Sequence, residues 1–268
     1  MKKLTVSVLA LAMALSLAAC GGGSASSSEA ASSETASSEA VSSEAASTEA
    51  TESNAEVSVM SYADYVAAEV DSPVCVETYV QAKQSWWEDK ATLYTQSPDG
   101  AYFIYDMAVS QEDYDKMVPG TKLLVTGYKA EWEGEVEIID ATYEILEGDT
   151  FVAEATDVTD QLGTDALVDF QNQFVSFKGM TVEAANDAGD AFLYKWDGSG
   201  SDGDDLYFNV SKDGQTYSFT VESYLCDNTT DVYNAVKALN VGDVVDMEGF
   251  LYWYDGVNPH ITSVTPAK

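Results

Sequence analysis

Few residues in this sequence are of the types that carry out catalysis. The chain has one histidine, His260, which follows Asn258 and Pro259. A Ser or Cys nucleophile needs a base such as histidine beside it, yet the sequence has no G-x-S-x-G or cysteine-centred motif. A glycosidase-like pair of carboxylates stays open as an alternative because acids are abundant. We therefore expect no enzyme activity and no catalytic residue, and we interpret His260 as a turn-supporting or half-buried side chain.

A second group of candidate residues lies in an acidic loop that reads DGSGSDGDD from Asp197 to Asp205. Carboxylates spaced among glycines are able to wrap calcium, which takes about six to eight oxygen ligands. The spacing departs from that of an EF-hand loop, and Gly, Ser and Asp are also the usual residues of an exposed turn. The sequence thus supports only a speculative calcium site, with no other cofactor, formed by Asp197, Asp202, Asp204 and Asp205.

The main binding signal is tryptophan placed beside carboxylates, in the segments WWED from residue 86, EWE from 131 and WYD from 253. A tryptophan face stacks on a neutral sugar or attracts a cationic peptide, and the neighbouring acids accept hydrogen bonds. The alternative is that these rings pack in a core or between two domains. The candidate ligand-binding residues are Trp86, Trp87, Trp132, Trp253 and Tyr254.

A repeated segment predicts the elements that must position these residues. The stretches GTKLLVTGYKAEWEG (120–134) and GDVVDMEGFLYWYDG (242–256) carry glycines at the same three offsets. Each stretch follows a long strand, a hairpin that turns at an Asp-Gly pair, and a short helix. Each unit is therefore predicted to hold five strands with a helix between the third and the fourth. The mid-strand glycines Gly127 and Gly249 predict a bulge or a sharp coil of the fourth strand.

This order of elements resembles the OB-fold, a small five-stranded Greek-key barrel. The closest branch is the tRNA-anticodon-like one, whose G-x-x-V-x-V-x-G fourth strand matches GTKLLVTG from Gly120 and GDVVDMEG from Gly242. The resemblance implies a mainly β chain with two tandem barrels, at 57–148 and 149–268, each preceded by a short helix. It also implies that ligands bind across strands two and three, between rim loops that carry the tryptophans.

The beginning of the chain has the layout of a secretory signal, with two lysines and an apolar run within residues 1–19. The sequence LAAC that ends at Cys20 resembles the lipobox of bacterial lipoproteins of the Gram-positive type. That resemblance implies lipidation of Cys20 and a protein tethered to the cell membrane on its extracytoplasmic face; an ordinary cleaved signal is the alternative. Residues 20–56 are almost entirely Ser, Ala, Glu and Thr, which predicts a disordered stalk.

The net charge of the chain limits the partners it can bind. The sequence holds 46 acidic residues and 12 basic ones, and every basic residue is a lysine. Proteins that bind nucleic acid rely on Lys and Arg, so we expect no nucleic-acid partner. The leading interpretation is a non-catalytic binding or adaptor module at the cell surface, with a cell-wall glycan, peptide or protein as partner. A structural envelope protein and a carboxylate-based hydrolase are the alternatives.

Cys75 and Cys226 are predicted to be separate buried thiols, with pairing between them as the alternative.

Overall fold

The computed structural model describes residues 58–268, which belong to one compact unit, Asn54–Lys268. The predicted signal peptide (1–19), the lipidated Cys20 and the stalk (20–56) lie outside the described residues. None of the helices within 58–268 is long and apolar enough to cross a membrane.

The first half of the described chain folds into a closed barrel whose strands follow the order β1-β2-β3-β5-β4. Strands β3 and β5 run parallel through the pair Phe103 and Glu137, and the other neighbours are antiparallel. The elements are α1 (Tyr62–Ala67), β1 (Pro73–Lys83), β2 (Lys90–Ser97), β3 (Gly100–Ala108), α2 (Gln111–Lys116), β4 (Lys122–Trp132) and β5 (Glu135–Leu146).

The second half repeats this architecture with two short additional strands at its edges. Its elements are β6 (Thr156–Asp157), 3-10 turns at Thr159–Gln161 and Asp165–Phe170, β7 (Phe174–Glu183), β8 (Leu193–Tyr194), β9 (Leu206–Lys212), β10 (Gln215–Val221), α3 (Asp231–Lys237), β11 (Val244–Phe250) and β12 (His260–Pro266). Pairing of β7 with both β9 and β11 closes a ring of five strands in the order β7-β9-β10-β12-β11. The predicted pair of five-stranded OB-like barrels is therefore confirmed.

Local sequence signals explain the helix between the third and fourth strands of each barrel. The Ser110 hydroxyl accepts a hydrogen bond from the backbone N–H of Asp113, and Thr230 does the same for Tyr233. These side chains satisfy backbone donors that the first helical turn leaves free. Helix α3 then turns Tyr233 and Val236 into the core of the second barrel. Both helices lie where the sequence predicts one, between the third and fourth strands of each unit.

The two repeated glycines lie where the fourth strand of each barrel slips in register. The shifts fall between Thr126 and Tyr128 in β4 and between Glu248 and Gly249 in β11. A Cβ at Gly127 would lie 2.7 Å from Cγ2 of Ile138, so the partner strand leaves no room for one. The prediction that both glycines mark a bulge or coil is confirmed.

Each barrel encloses its own apolar core. Cys75 is buried in the first barrel and Cys226 in the second, and both are free thiols. Burial raises the pKa of Cys226 to about 12, which keeps its thiol protonated and inert. The prediction of two separate buried cysteines is confirmed, and the alternative of a disulfide between them is wrong.

Candidate functional site

The outer face of strands β2 and β3, where OB-folds commonly take ligands, is largely covered by the second barrel. Side-chain alternation sends Tyr94 and Phe103 outward from the first barrel. Tyr94 lies against Phe250 with a ring-centroid distance of 4.6 Å, and Phe103 lies 5.2 Å from Tyr252. We call this contact the aromatic seam and define it as Tyr94, Phe103, Phe174, Phe250 and Tyr252. Most of the ligand face implied by the resemblance is thus used for docking, which corrects that expectation for the first barrel.

Polar groups within the seam are paired across it. The Tyr94 hydroxyl lies 2.6 Å from Nδ1 of His260, and the Gln96 side-chain oxygen accepts from the backbone N–H of Phe174. The His260 ring also stacks on Tyr252 at 4.3 Å. Burial lowers the pKa of His260 to about 3, so the ring is neutral at neutral pH. The histidine that sequence reasoning set aside as a catalytic base is a buried contact between the two barrels.

A fully buried carboxyl group also lies at this junction. Oε2 of Glu135 accepts from the backbone N–H of Trp253 at 2.9 Å and from the side chain of Gln171 at 3.3 Å. Oε1 has no hydrogen-bond partner within residues 58–268. Burial raises the pKa of Glu135 to about 8, so this group carries a proton at neutral pH. Burial also raises the pKa of its neighbour Glu137, to about 6.

A cleft of about 250 Å³ opens beside the seam, between the two barrels. Pockets at such junctions, with aromatic walls and a few polar groups, are typical ligand sites. Strand β3 supplies one wall, and strands β9 and β10 with the segment before β12 supply the other. The aromatic side chains that line the cleft are Phe103, Tyr105, Tyr207, Tyr252 and Tyr254.

Two carboxylates, Glu222 and Asp205, lie in the same cleft. Glu222 accepts from the backbone N–H groups of Tyr224 and Leu225 at 3.1 and 2.8 Å. Asp205 accepts from the backbone N–H and the hydroxyl of Ser223. Burial, with a smaller contribution from the charge of Asp205, raises the pKa of Glu222 to about 7. Among the described residues that line the cleft, none is a lysine. The cleft is therefore a negatively charged, aromatic site with no built-in counter-ion.

The structure separates the aromatic residues that the sequence singled out. Trp86 turns inward against the first core, where its Nε1 donates to the Val109 carbonyl at 2.9 Å, so it packs on the barrel and does not line the cleft. Trp253 packs on the second core and lies 3.2 Å from the position of a Cβ on Gly134, which makes it a docking residue. Of the remaining candidates, Trp87 and Trp132 are exposed outside the cleft and Tyr254 lines it.

The four aspartates of the predicted calcium site do not converge. Each carboxylate has local partners: Asp197 accepts from the backbone of Ser199, Asp202 pairs with Lys237, Asp204 accepts from the backbone of Ser201, and Asp205 faces Ser223. Within residues 58–268, no group of three or more His, Cys, Asp or Glu side chains is arranged to hold a metal ion. Backbone N–H groups and a lysine hold these oxygens in the described residues, so the calcium site is not assembled there and stays a prediction.

Sequence reasoning missed most residues of the cleft, among them Tyr105, Tyr207, Glu222 and Tyr252. A partial signal was present, since Tyr207 stands between Leu206 and Phe208, which both point into the core. Such a position on a strand faces outward. What the alternation does not reveal is which outward residues the other barrel covers and which remain open.

Comparison with known proteins gives a likeness in structure alone. No protein-family model matches the sequence, and no curated protein matches it either. A murine DNA-binding protein bound to double-stranded DNA is similar over 72% of this chain and 96% of its own, at 9% identity and a TM-score of 0.35. The Ifi202 HINa domain in complex with 20-bp double-stranded DNA is similar over 74% and 97%, at 11% identity and a TM-score of 0.32. A replication protein A heterotrimer bound to single-stranded DNA is similar over 73% and 49%, at 10% identity and a TM-score of 0.30.

The DNA ligands of these similar structures overturn two expectations from the sequence. One was a binding or adaptor module for a glycan or peptide, and the other was the absence of any nucleic-acid partner. Both are withdrawn. At 9–11% identity, the likeness concerns the arrangement of the barrels.

Proposed function

We propose that the cleft between the barrels binds a small organic cation. The observation that carries this proposal is the combination of aromatic walls with Asp205 and Glu222 in one cavity that no lysine lines. A cation placed over a tyrosine or phenylalanine face is attracted by the ring, by roughly 0.5–2 kcal/mol depending on how far the site is desolvated.

The electrostatic surroundings of the cleft favour a positive ligand. Burial raises the pKa of Tyr252, and the nearby carboxyl groups of Glu135 and Glu137 add to the rise, so both groups lie close to this wall. Glu135 is protonated at neutral pH, so the negative charge beside the wall comes from Glu137. Burial raises the pKa of Glu222, and no lysine lines the cleft to stabilise its ionised form. A bound cation would stabilise that form and would itself be stabilised by the carboxylate.

The shape of the cleft favours a compact positive group. Tyr252 is fixed between Phe103 and His260, at centroid distances of 5.2 and 4.3 Å, so its ring is held in one orientation. Tyr105 and Tyr254 stand at the opening and are 50% and 53% exposed. A rigid wall with partly open rings at its rim is pre-organised for a ligand and requires little ordering on binding.

The first test is calorimetric titration of the full-length chain with tetramethylammonium and, in parallel, with the uncharged tert-butanol. We expect saturable binding of the cation alone. Glu222 has a pKa of about 7 and must be ionised to attract the cation. The affinity for tetramethylammonium should therefore fall when the pH is lowered from about 8 to about 6. Glu222→Gln should weaken binding by about five- to tenfold, as expected for the loss of one nearby charge.

Glu69→Gln is the matched control, because it removes one exposed carboxylate from the first barrel and should leave affinity unchanged. Equal binding of tert-butanol and tetramethylammonium would contradict a cation site. A single-stranded oligonucleotide is the third probe; if it binds where the cation does not, the cleft takes nucleic acid and this proposal fails.

We also propose that the protein is a lipid-anchored extracytoplasmic lipoprotein of the Gram-positive type. The support is the signal-like segment 1–19 and the lipobox-like LAAC that ends at Cys20. Two or more acyl chains hold a protein stably on a membrane, whereas a single chain does so only marginally. In cells labelled with radioactive palmitate, the wild type should carry label and sediment with membranes. Cys20→Ser should lose both properties, and the control Ser24→Ala should keep them; labelled Cys20→Ser protein would contradict the anchor.

A further inference from the structure

A second cavity, of about 360 Å³, continues from the cleft across the junction of the barrels. Gln84 and Tyr105 line both cavities, so the two spaces meet at these side chains. We call this second cavity the side groove. Its aromatic walls are Trp87, Tyr105 and Tyr224, which are 71%, 50% and 63% exposed. Large aromatic side chains that stay open around one groove are unusual for surface residues that serve packing alone.

The first barrel holds Trp87 on a rigid support. Trp87 and Lys90 exchange two backbone hydrogen bonds of 3.0 Å around a two-residue turn. Glu88 and Asp89 in this turn both have positive φ, of 49° and 60°, as a type I′ hairpin turn requires. The adjacent Trp86 anchors the same loop in the core. The backbone of Trp87 is therefore fixed while its ring faces the groove.

The second barrel supplies the opposite wall and ties it to the cleft. The Tyr224 carbonyl accepts from the backbone N–H and the hydroxyl of Ser85, at 2.7 and 3.1 Å, which joins the loops of the two barrels. The backbone N–H of Tyr224 donates to Glu222, the carboxylate that also lines the cleft. The position of the Tyr224 ring thus depends on the same residue that would hold the cation.

The charge of the side groove differs from that of the cleft. Its one lysine, Lys90, forms an ion pair of 2.6 Å with Asp106, which also lines the groove. The pair leaves no net charge among the residues that line this space. An uncharged ring suits such a groove, because aromatic faces stack on it and no unpaired charge needs a partner.

We propose that the side groove is a second subsite that stacks an uncharged aromatic ring of the same ligand. The ligand class is therefore an elongated organic cation, with its positive group in the cleft and a planar ring between Trp87 and Tyr224. This inference rests on the proposed function of the cleft and adds to it the shape of the ligand.

The test compares tetramethylammonium with trimethylammonium compounds that carry a phenyl ring on short, medium and long alkyl linkers, titrated into the full-length chain. At the linker length that spans both cavities, the phenyl compound should bind about 3- to 10-fold more tightly than tetramethylammonium. Trp87→Ala should remove this gain and leave the affinity for tetramethylammonium unchanged. Trp196→Ala is the matched control, because Trp196 is about as exposed as Trp87 but lies just before the acidic loop and does not line the groove.

The outcomes separate the two proposals. If tetramethylammonium binds but no phenyl compound gains affinity, or if Trp87→Ala keeps the gain, the second subsite is wrong and the cation site stands. If neither class of compound binds the wild type, both proposals are wrong. If the phenyl compound keeps its gain in affinity in both Trp87→Ala and Trp196→Ala, its ring binds outside the side groove.

Discussion

Replacing Glu135 by Gln should make the protein more stable in alkaline solution and should reduce the dependence of its stability on pH. Glu135 has a pKa of about 8 in the folded protein, compared with 4.5 for an ordinary glutamate. Since the folded state binds this proton more tightly, the stability linked to it is fully present below pH 4.5 and is lost as the pH rises to about 8. Each unit of pKa difference corresponds to about 1.4 kcal/mol, so the loss reaches several kcal/mol.

Glutamine keeps the acceptor for Trp253 and Gln171 but has no proton to lose. We therefore expect urea unfolding to give similar free energies for both proteins near pH 4.5 and a clear advantage for Glu135→Gln above pH 8. A residual slope should remain, because Glu137 and Glu222 also have raised pKa values. Glu144→Gln, at an exposed position on the same strand, is the control and should follow the wild type. Parallel curves for wild type and Glu135→Gln would show that the buried carboxyl does not control alkaline stability.

The Gly249→Ala variant should unfold much more readily than the wild type. The added Cβ would meet the carbonyl oxygen of His260 and lie 2.7 Å from Cα of Ile261, both of them backbone atoms of β12. Backbone atoms cannot turn away as a flexible side chain does, so β11 and β12 must separate at the bulge. Overpacking of this kind costs about 1–3 kcal/mol, and sometimes more.

The His260 ring lies in the seam, so the same shift should also disturb the contact between the barrels. Thermal unfolding monitored by circular dichroism would measure the loss. Gly189→Ala is the matched control: Gly189 has a φ of +87° but open space around it, so only backbone strain is added. If Gly249→Ala loses no more stability than Gly189→Ala, close approach of the strands is not the reason for a glycine at this position.

The architecture was predictable because it depends on local and repeated signals. The glycine offsets, the Asp-Gly turns and the helix caps at Ser110 and Thr230 each act within a few residues, and they recur in both halves of the chain. Because the pattern occurs twice, a strand or helix assigned in one half can be checked against the corresponding segment of the other half. The structure follows those assignments for the five barrel strands of each half.

The site was less predictable because it depends on contacts between distant segments. Trp86 and Trp87 are neighbours in sequence, yet one is anchored in the core and the other is exposed. Glu222 and Tyr105 come together only because the barrels dock in one orientation. Likewise, nothing local marks Glu135 as buried, since it follows a turn of the acid-Gly type that usually faces water.

The aromatic seam joins unlike surfaces of two like domains. The first barrel contributes its β2–β3 face, whereas the second contributes β11 and the segment around β12. A contact of this kind is head-to-tail, in contrast to the self-complementary contact of a two-fold dimer. The seam therefore covers the β2–β3 face of the first barrel. The corresponding face of the second barrel, on β9 and β10, stays open to the cleft at Tyr207 and Thr220. The same fold is thus used in two ways, with the β2–β3 face of the first barrel packed against its neighbour and part of the corresponding face of the second left open.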